Sequence, residues 1–113
     1  MASTSIMRPI GPTQALSVTN TSHAPVALTF YTNDQCNFMA ALNVGSVAVA
    51  YRVTQSGSAA TFPIDGTSGD FVLPPLMEFP IIISIPALTP TVTAIAGAVG
   101  PTLCYFTPVG DQS

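Results

Sequence analysis

Charge is what this sequence lacks most. It holds two basic residues, Arg8 and Arg52, and five acidic ones, and it contains no lysine. The charged fraction is 6%, whereas roughly 25% is typical of soluble domains. A protein that neutralises nucleic-acid phosphates needs clustered cations. The sequence therefore predicts that nucleic acid is not a partner.

Long apolar runs are absent as well. The two longest, residues 79–85 and 92–99, are interrupted by proline, glycine or hydroxylated residues. A membrane-spanning helix needs ~20 predominantly apolar residues. We therefore expect no membrane partner.

What is present is the composition of one folded domain. A hydrophobic fraction of 48% with a net charge of only -3 is the reverse of the pattern that keeps chains disordered. A chain of 113 residues can form one core between two layers. We predict a single domain over residues 14–113, preceded by an extended N-terminal arm over residues 1–13.

Apolar residues recur with period two, and no window carries a helical apolar stripe that is free of Pro or Gly. Turn-forming clusters such as Ser56-Gly57-Ser58 separate the apolar segments. This pattern predicts an all-β fold, a β-sandwich or jelly roll of about eight or nine short antiparallel strands. The predicted strands cover residues 14–19, 26–32, 38–42, 47–53, 59–63, 70–73, 79–85, 91–96 and 102–107.

Two of these strands, residues 47–53 and 79–85, are apolar on both faces. In the first, Val49 and Tyr51 share one face and Ala50 lies on the other. Such a strand must be covered on both sides, whereas a two-layer sandwich covers only one. The second cover comes from another subunit, or from a loop or the arm of the same chain. For a subunit, the candidate interface residues are Val49, Tyr51, Phe79, Ile81 and Ile83.

The first thirteen residues differ from the rest. Pro9 and Pro12 favour an extended conformation and remove backbone donors. The segment is either a frayed terminus or a strap that binds a neighbouring subunit. In the second case its candidate interface residues are Arg8, Pro9, Ile10 and Pro12.

Proline also informs the position of one strand. Pro80 lies within the apolar segment 79–85, and proline cannot donate a hydrogen bond to a neighbouring strand. We therefore expect this segment at a sheet edge or at a β-bulge.

The sequence offers few groups for catalysis. General acid–base chemistry needs convergent titratable groups, but the single histidine, His23, lies in a predicted turn and the acidic residues are dispersed. Asp65 and Asp70 flank a glycine-containing loop that lacks the alternating oxygen ligands of a calcium site. No nucleophile elbow, zinc-binding helix motif or phosphate-binding loop occurs. We predict no enzyme activity, no cofactor and no metal site.

The two cysteines, Cys36 and Cys104, lie far apart and have no CxxC spacing, so a zinc knuckle or redox pair is not indicated. They are either two free thiols in the core or one disulfide. The sequence leaves both possibilities open.

Four features follow one another along the chain. They are the opening Arg8-Pro9-Ile10-Gly11-Pro12-Thr13-Gln14, the valine-rich strand at residues 47–53, the Leu73-Pro74-Pro75 turn, and the closing hairpin at residues 92–108 with Val109-Gly110 after it. This order resembles small virion-associated proteins of tailed bacteriophages, in particular capsid cement or decoration proteins of β-sandwich or jelly-roll type.

The resemblance implies a structural protein without an active site. Such proteins bind the outside of the icosahedral head as dimers or trimers and stabilise it across seams between major capsid subunits. It thus implies a homo-oligomer that binds the major capsid protein or other virion proteins. The expected location is the capsid surface of the virion, after synthesis in the host cytoplasm.

Two alternatives stay open at this stage. One is another virion component, such as a head fibre base or a tail- or connector-associated protein. The other is a carbohydrate- or peptide-binding β-sandwich module, which would place an exposed aromatic residue in a groove. The tyrosines Tyr31, Tyr51 and Tyr105 are the candidates for that role.

Overall fold

The computed structural model describes residues 6–30, 38–85 and 90–112. None of these residues is helical, so the prediction of an all-β fold is confirmed. The described ranges accordingly contain no helix of the length and hydropathy that crossing a bilayer requires. The strands are β1 (Ile6–Pro9), β2 (Gln14–Val18), β3 (Val26–Ala27), β4 (Phe38–Asn43), β5 (Val49–Thr54), β6 (Phe71–Leu73), β7 (Ile81–Ser84), β8 (Thr91–Ala96) and β9 (Thr102–Gln112).

The strands form two antiparallel sheets. In the larger, five-stranded sheet the order is β1-β9-β4-β7, and β2 also pairs with β9. The smaller, four-stranded sheet has the order β3-β8-β5-β6. β7 is therefore the last strand on one side of the larger sheet, which confirms the edge position expected from Pro80.

The eleven-residue strand β9 organises the larger sheet. Its first half pairs with β2, its second half pairs with β1, and β4 runs along its other side. Ile10 extends the β1 pairing, because its N–H donates to the Pro108 carbonyl at 3.0 Å. Residues 6–10 of the predicted arm are thus extended, but they lie along the sheet of their own chain. Residues 1–5 lie outside the described residues.

The core lies between the two sheets and is contributed by both. In β5 and β9, Tyr51 and Phe106 face each other with their ring centroids 5.8 Å apart. Burying one large apolar side chain completely contributes roughly 1.5–3 kcal/mol. The buried core comprises Ile10, Leu16, Val18, Leu28, Met39, Ala41, Val49, Tyr51, Leu73, Ile85, Val92, Ala94, Ala96, Cys104 and Phe106.

The outer face of the smaller sheet is covered by residues 55–70, which we call the covering loop. The predicted strand at residues 59–63 is wrong, because this segment is irregular backbone within the loop. The Thr93 hydroxyl, on the outer face of β8, donates to the Ser58 carbonyl at 2.7 Å and is buried beneath the loop. The Phe62 ring lies so close to Gly97 that a Cβ there would come within 2.6 Å of it.

The covering loop explains why β5 is apolar on both faces. Val49 and Tyr51 point into the core, while Ala50 on the other face is also fully buried within the chain. The second cover over this strand is a loop of the same chain and not another subunit. At residues 49–51 the strand is therefore closed on both faces within its own chain.

Candidate association surfaces

Three predicted interface residues cannot face a partner. Ile10 is 2% exposed, Val49 is 0% exposed and Tyr51 is 7% exposed, and all three belong to the core of the chain itself. Their side chains pack inside the domain, so they are not available for an interface at its surface. The side chain of Arg8 lies outside the described part of the structure.

The remaining predicted residues lie closer to solvent. Pro9 is exposed and Pro12 is half-buried, on either side of the break between β1 and β2. Phe79 is 77% exposed just before β7. Ile81 and Ile83 lie on β7 and are half-buried against the margin of the core. The structure thus brings three of the predicted residues together at β7.

Two hydrogen bonds at the end of β4 show which of its residues bond to β9 and which bond to β7. The Val44 N–H donates to the Leu103 carbonyl at 3.0 Å, and the Met77 N–H donates to the Asn43 carbonyl at 2.9 Å. Successive residues of a strand direct their polar groups to opposite sides. The backbone N–H and C=O groups of even-numbered β4 residues therefore point to β9, and those of odd-numbered residues point to β7.

The same alternation shows which backbone N–H and C=O groups of β7 bond to β4 and which point away from it. Ile81 and Ile83 lie opposite odd-numbered residues of β4, so their N–H and C=O groups are used within the sheet. Ile82 and Ser84 direct theirs away from β4, towards the open edge. Pro80 has the same parity, which suits a residue without an N–H. Among the described residues, β4 is the only strand paired with β7.

Among the residues whose side chains the structure describes, the strands of the larger sheet carry no charged side chain on their outer face, and we call this the uncharged face. The core residues Met39, Ala41, Cys104 and Phe106 fix which side of β4 and β9 points inward, so their neighbours in sequence point outward. Leu103 is 37% exposed and Ile82 is 42% exposed there. The face comprises Ala15, Ser17, Phe38, Ala40, Leu42, Ile82, Ser84, Leu103, Tyr105, Thr107 and Val109.

Exposed apolar residues also gather at the end of the sandwich where β4 ends and β7 begins. Leu76 is 69% exposed and has a φ of 55°, a left-handed conformation that is costly for leucine. Its N–H donates to the Gly45 carbonyl at 2.9 Å, which ties the 74–80 loop to the turn after β4. Val44 and Phe79 are exposed in the same region.

One of the two basic side chains is already paired. Arg52 Nε donates to Asp70 Oδ1 at 3.0 Å, and a second guanidinium nitrogen donates to the Ser58 hydroxyl at 3.2 Å. The other carboxylate oxygen of Asp70 accepts the Thr61 N–H at 2.7 Å. These contacts fix the covering loop, so Arg52 is not a free recognition group.

The titratable side chains that the structure describes do not form a metal-binding cluster. Within the described ranges, no three His, Cys, Asp or Glu side chains come close enough to share a metal ion. His23 lies in a loop, where its Nδ1 is 2.8 Å from the Ala24 carbonyl oxygen. Burial raises the pKa of the Cys104 thiol to about 12 and that of the Tyr51 phenol to about 12. Cys104 is a buried free thiol. Cys36 lies outside the described residues.

The sequence contained a signal for the uncharged face that the prediction did not use. Along β9, Leu103, Tyr105 and Thr107 alternate with the buried residues Cys104 and Phe106. A strand of a one-sided sheet normally places charged or strongly polar residues at such positions. The absence of charged residues at positions 103, 105 and 107 indicates that this part of the outer face is weakly hydrated.

Comparisons with known proteins do not add an identity. No protein-family model matches the chain, and neither a curated protein nor a solved structure matches it.

Proposed function

We propose that the chain is a structural component of a larger assembly, and specifically a capsid cement or decoration protein on the head of a tailed bacteriophage. It acts as a homo-oligomer that adds buried area across boundaries between capsid subunits. The sequence resemblance is the basis for the assembly. The structure contributes the surface through which such a protein would act.

The uncharged face is the observation that carries the proposal. The inner faces of both sheets already pack on one another, and the covering loop protects the outer face of the smaller sheet. The outer face of the larger sheet is left with Leu103, Tyr105 and Ile82 partly exposed to solvent. Burying apolar surface of this kind favours association at roughly 25 cal/mol per Å² before the costs of binding are subtracted.

A capsid surface suits a contact of modest strength. Many identical copies are held side by side on a particle, and multivalency raises the overall affinity without strong single contacts. A large uncharged contact is also compatible with the low net charge of the chain, which would not steer it electrostatically.

The alternatives make different demands on the surface. A carbohydrate- or peptide-binding module needs an exposed aromatic in a groove, but Tyr51 is buried in the core and Tyr105 is half-buried on the uncharged face. Tyr31 lies outside the described residues. A tail- or connector-associated component would share the uncharged face and differ only in location and copy number.

Copy number in purified particles tests the proposal. Quantitative densitometry of virions should show the chain at hundreds of copies per particle, in proportion to the major capsid protein. A dozen copies or fewer would contradict a cement role and favour the tail or connector. Absence from washed particles would contradict any virion role.

A further inference from the structure

We propose that two copies of the chain associate through their β7 strands, paired antiparallel about a two-fold axis, so that two larger sheets become one continuous sheet. This inference rests on the proposed homo-oligomeric function and names its interface. The partner is a second copy of the same chain, and the contact is formed chiefly by backbone hydrogen bonds along Ile81–Ser84.

The open edge supplies the hydrogen-bonding groups. Ile82 and Ser84 direct N–H and C=O away from β4, so each copy offers two donors and two acceptors. An antiparallel pair of identical strands matches these groups by symmetry, because each donor of one copy meets an acceptor of the other. Such edge-to-edge addition is a recognised mode of strand association.

Of the devices that normally prevent edge pairing, charged side chains are missing from this edge. Exposed edges are usually protected by charged side chains or covering segments, yet residues 79–85 contain no charged residue. Two copies therefore meet without repulsion between like charges. The half-buried side chains of Ile81 and Ile83 would be covered further by their counterparts in the second copy.

Proline limits the pairing to a short segment. Pro80 precedes β7 and Pro86 follows it closely in sequence, and neither can donate a backbone hydrogen bond. The contact is isologous, which means that both copies use the same β7 edge. No β7 edge is left for a third copy, so the assembly is a dimer. Of the two expected oligomers, the dimer and the trimer, the dimer is the one that this contact forms.

The other strand edges fit this role less well. β3 and β6 have only two and three residues. The opposite edge of the larger sheet is divided between β1 and β2 by a break at residues 10–13, and its outward residues Ala15 and Ser17 offer little apolar area. Among the strands that the structure describes, β7 alone combines an unbroken edge with large apolar side chains on both faces.

Pairing through β7 has a consequence for the uncharged face. Because Ile82 lies on that face at the sheet edge, the two copies would place their uncharged faces side by side on one continuous sheet. The surface available to a capsid would be doubled and would carry the two-fold symmetry of the dimer.

Two matched serine variants test the inference. Ser84 and Ser17 are both exposed and both direct their N–H outward, at opposite edges of the larger sheet. Ser84→Pro removes one donor per copy and should raise the dimer dissociation constant at least about tenfold in sedimentation equilibrium. Ser17→Pro makes the same chemical change away from β7 and should leave the dissociation constant within about twofold.

A third variant tests whether the copies associate through the β7 edge or through the uncharged face. Leu103→Lys introduces a charge on the uncharged face, away from β7, and should leave the dimer intact. If Leu103→Lys dissociates the dimer and Ser84→Pro does not, the copies associate through the face and the β7 inference is overturned, while self-association stands. If the parent protein stays monomeric at all concentrations, homo-oligomerisation itself fails along with the inference.

Amide hydrogen exchange of the parent protein gives a readout that needs no variant. In the dimer the Ile82 and Ser84 amides should be protected, and their protection should fall on dilution as the dimer dissociates. Exchange of both amides at the rate of free amides, in a sample shown to be dimeric, would overturn the inference.

Discussion

Asn43 is a polar residue whose side chain hydrogen-bonds to several segments of the described core. It is fully buried at the end of β4. Its side-chain amide donates to the Val47 carbonyl at 2.9 Å, and its side-chain oxygen accepts from the Gly45 N–H and the Thr102 hydroxyl. A weaker contact of 3.5 Å reaches the Leu73 carbonyl in the smaller sheet. One side chain therefore holds together the turn after β4, the start of β9 and the edge of β6.

Replacing Asn43 by alanine should destabilise the domain by about 2–4 kcal/mol, because several buried polar groups lose their partner at once. Urea unfolding should show a lower midpoint with an unchanged slope. Asn20→Ala is the control, because Asn20 is an exposed turn residue whose replacement should cost about 0.5 kcal/mol or less. An Asn43→Ala midpoint equal to that of the parent would mean that these hydrogen bonds contribute nothing net.

Because the Cys104 thiol and the Tyr51 phenol are buried, we expect the free energy of unfolding to depend on pH in the alkaline range. Their pKa values rise from 9.0 and 10.0 to about 12 each because burial disfavours the ionised form. Above about pH 9 the unfolded chain releases protons that the folded chain retains, so the free energy of unfolding falls as pH rises. The full contribution is present below pH 9 and is lost progressively up to about pH 12.

Urea unfolding between pH 8 and 11 measures this effect. Cys104→Ala should flatten the decline that begins near pH 9, by up to about 1.4 kcal/mol per pH unit, and leave the later tyrosine part. Tyr51→Phe should do the opposite. A decline of equal slope in the parent and in both variants would place its origin in other groups.

At the scale of elements, the covering loop distinguishes this sandwich from a simple two-layer arrangement. Irregular backbone covers the outer face of the smaller sheet and is held by the Arg52–Asp70 pair and the Thr93–Ser58 hydrogen bond. The side chains of Arg52 and Asp70 are 31% and 17% exposed, so the pair is only partly screened by water. The loop behaves as a third layer over β5 and β8.

Asp70→Ala should detach part of this layer. The variant loses the ion pair and the bond from the Thr61 N–H, and we expect a loss of about 1–2 kcal/mol in the free energy of unfolding together with faster limited proteolysis within residues 55–70. Asp65→Ala is the matched control, since Asp65 is an exposed residue of the same loop. Equal proteolysis rates in the two variants would show that the ion pair does not hold the loop.

At the scale of the whole molecule, the scarcity of charge has a measurable result. Screening by salt acts on charged groups, and the proposed contacts are formed by backbone groups and uncharged side chains of β7 and the uncharged face. Dissociation constants of the dimer should therefore change by less than about threefold between about 0.05 M and 0.5 M NaCl. Sedimentation equilibrium at both concentrations checks this, and a steep loss of association with salt would indicate a contact built on charges.

The sequence by itself determined the properties that depend on neighbouring residues. Period-two alternation and turn residues predicted the all-β class and most strands, because a strand's two faces can be read within a few residues. Pro80 predicted an edge or a β-bulge for the same reason, since a missing N–H is a local fact, and the structure has the edge. The alternation around Cys104 and Phe106 likewise indicates which residues of β9 point outward.

Only the tertiary structure decided which segments meet across the chain. Nothing near residues 6–9 shows that they pair with the second half of β9, at the other end of the sequence. Nothing near Ala50 shows whether a loop or a subunit covers it. The same apolar pattern at 47–53 and 79–85 therefore ended in two outcomes: β5 is enclosed by its own covering loop, while β7 keeps an open edge. The reason is physical. The alternation of apolar residues is local and shows only that a face or an edge needs a neighbour, whereas the neighbour itself comes from long-range packing.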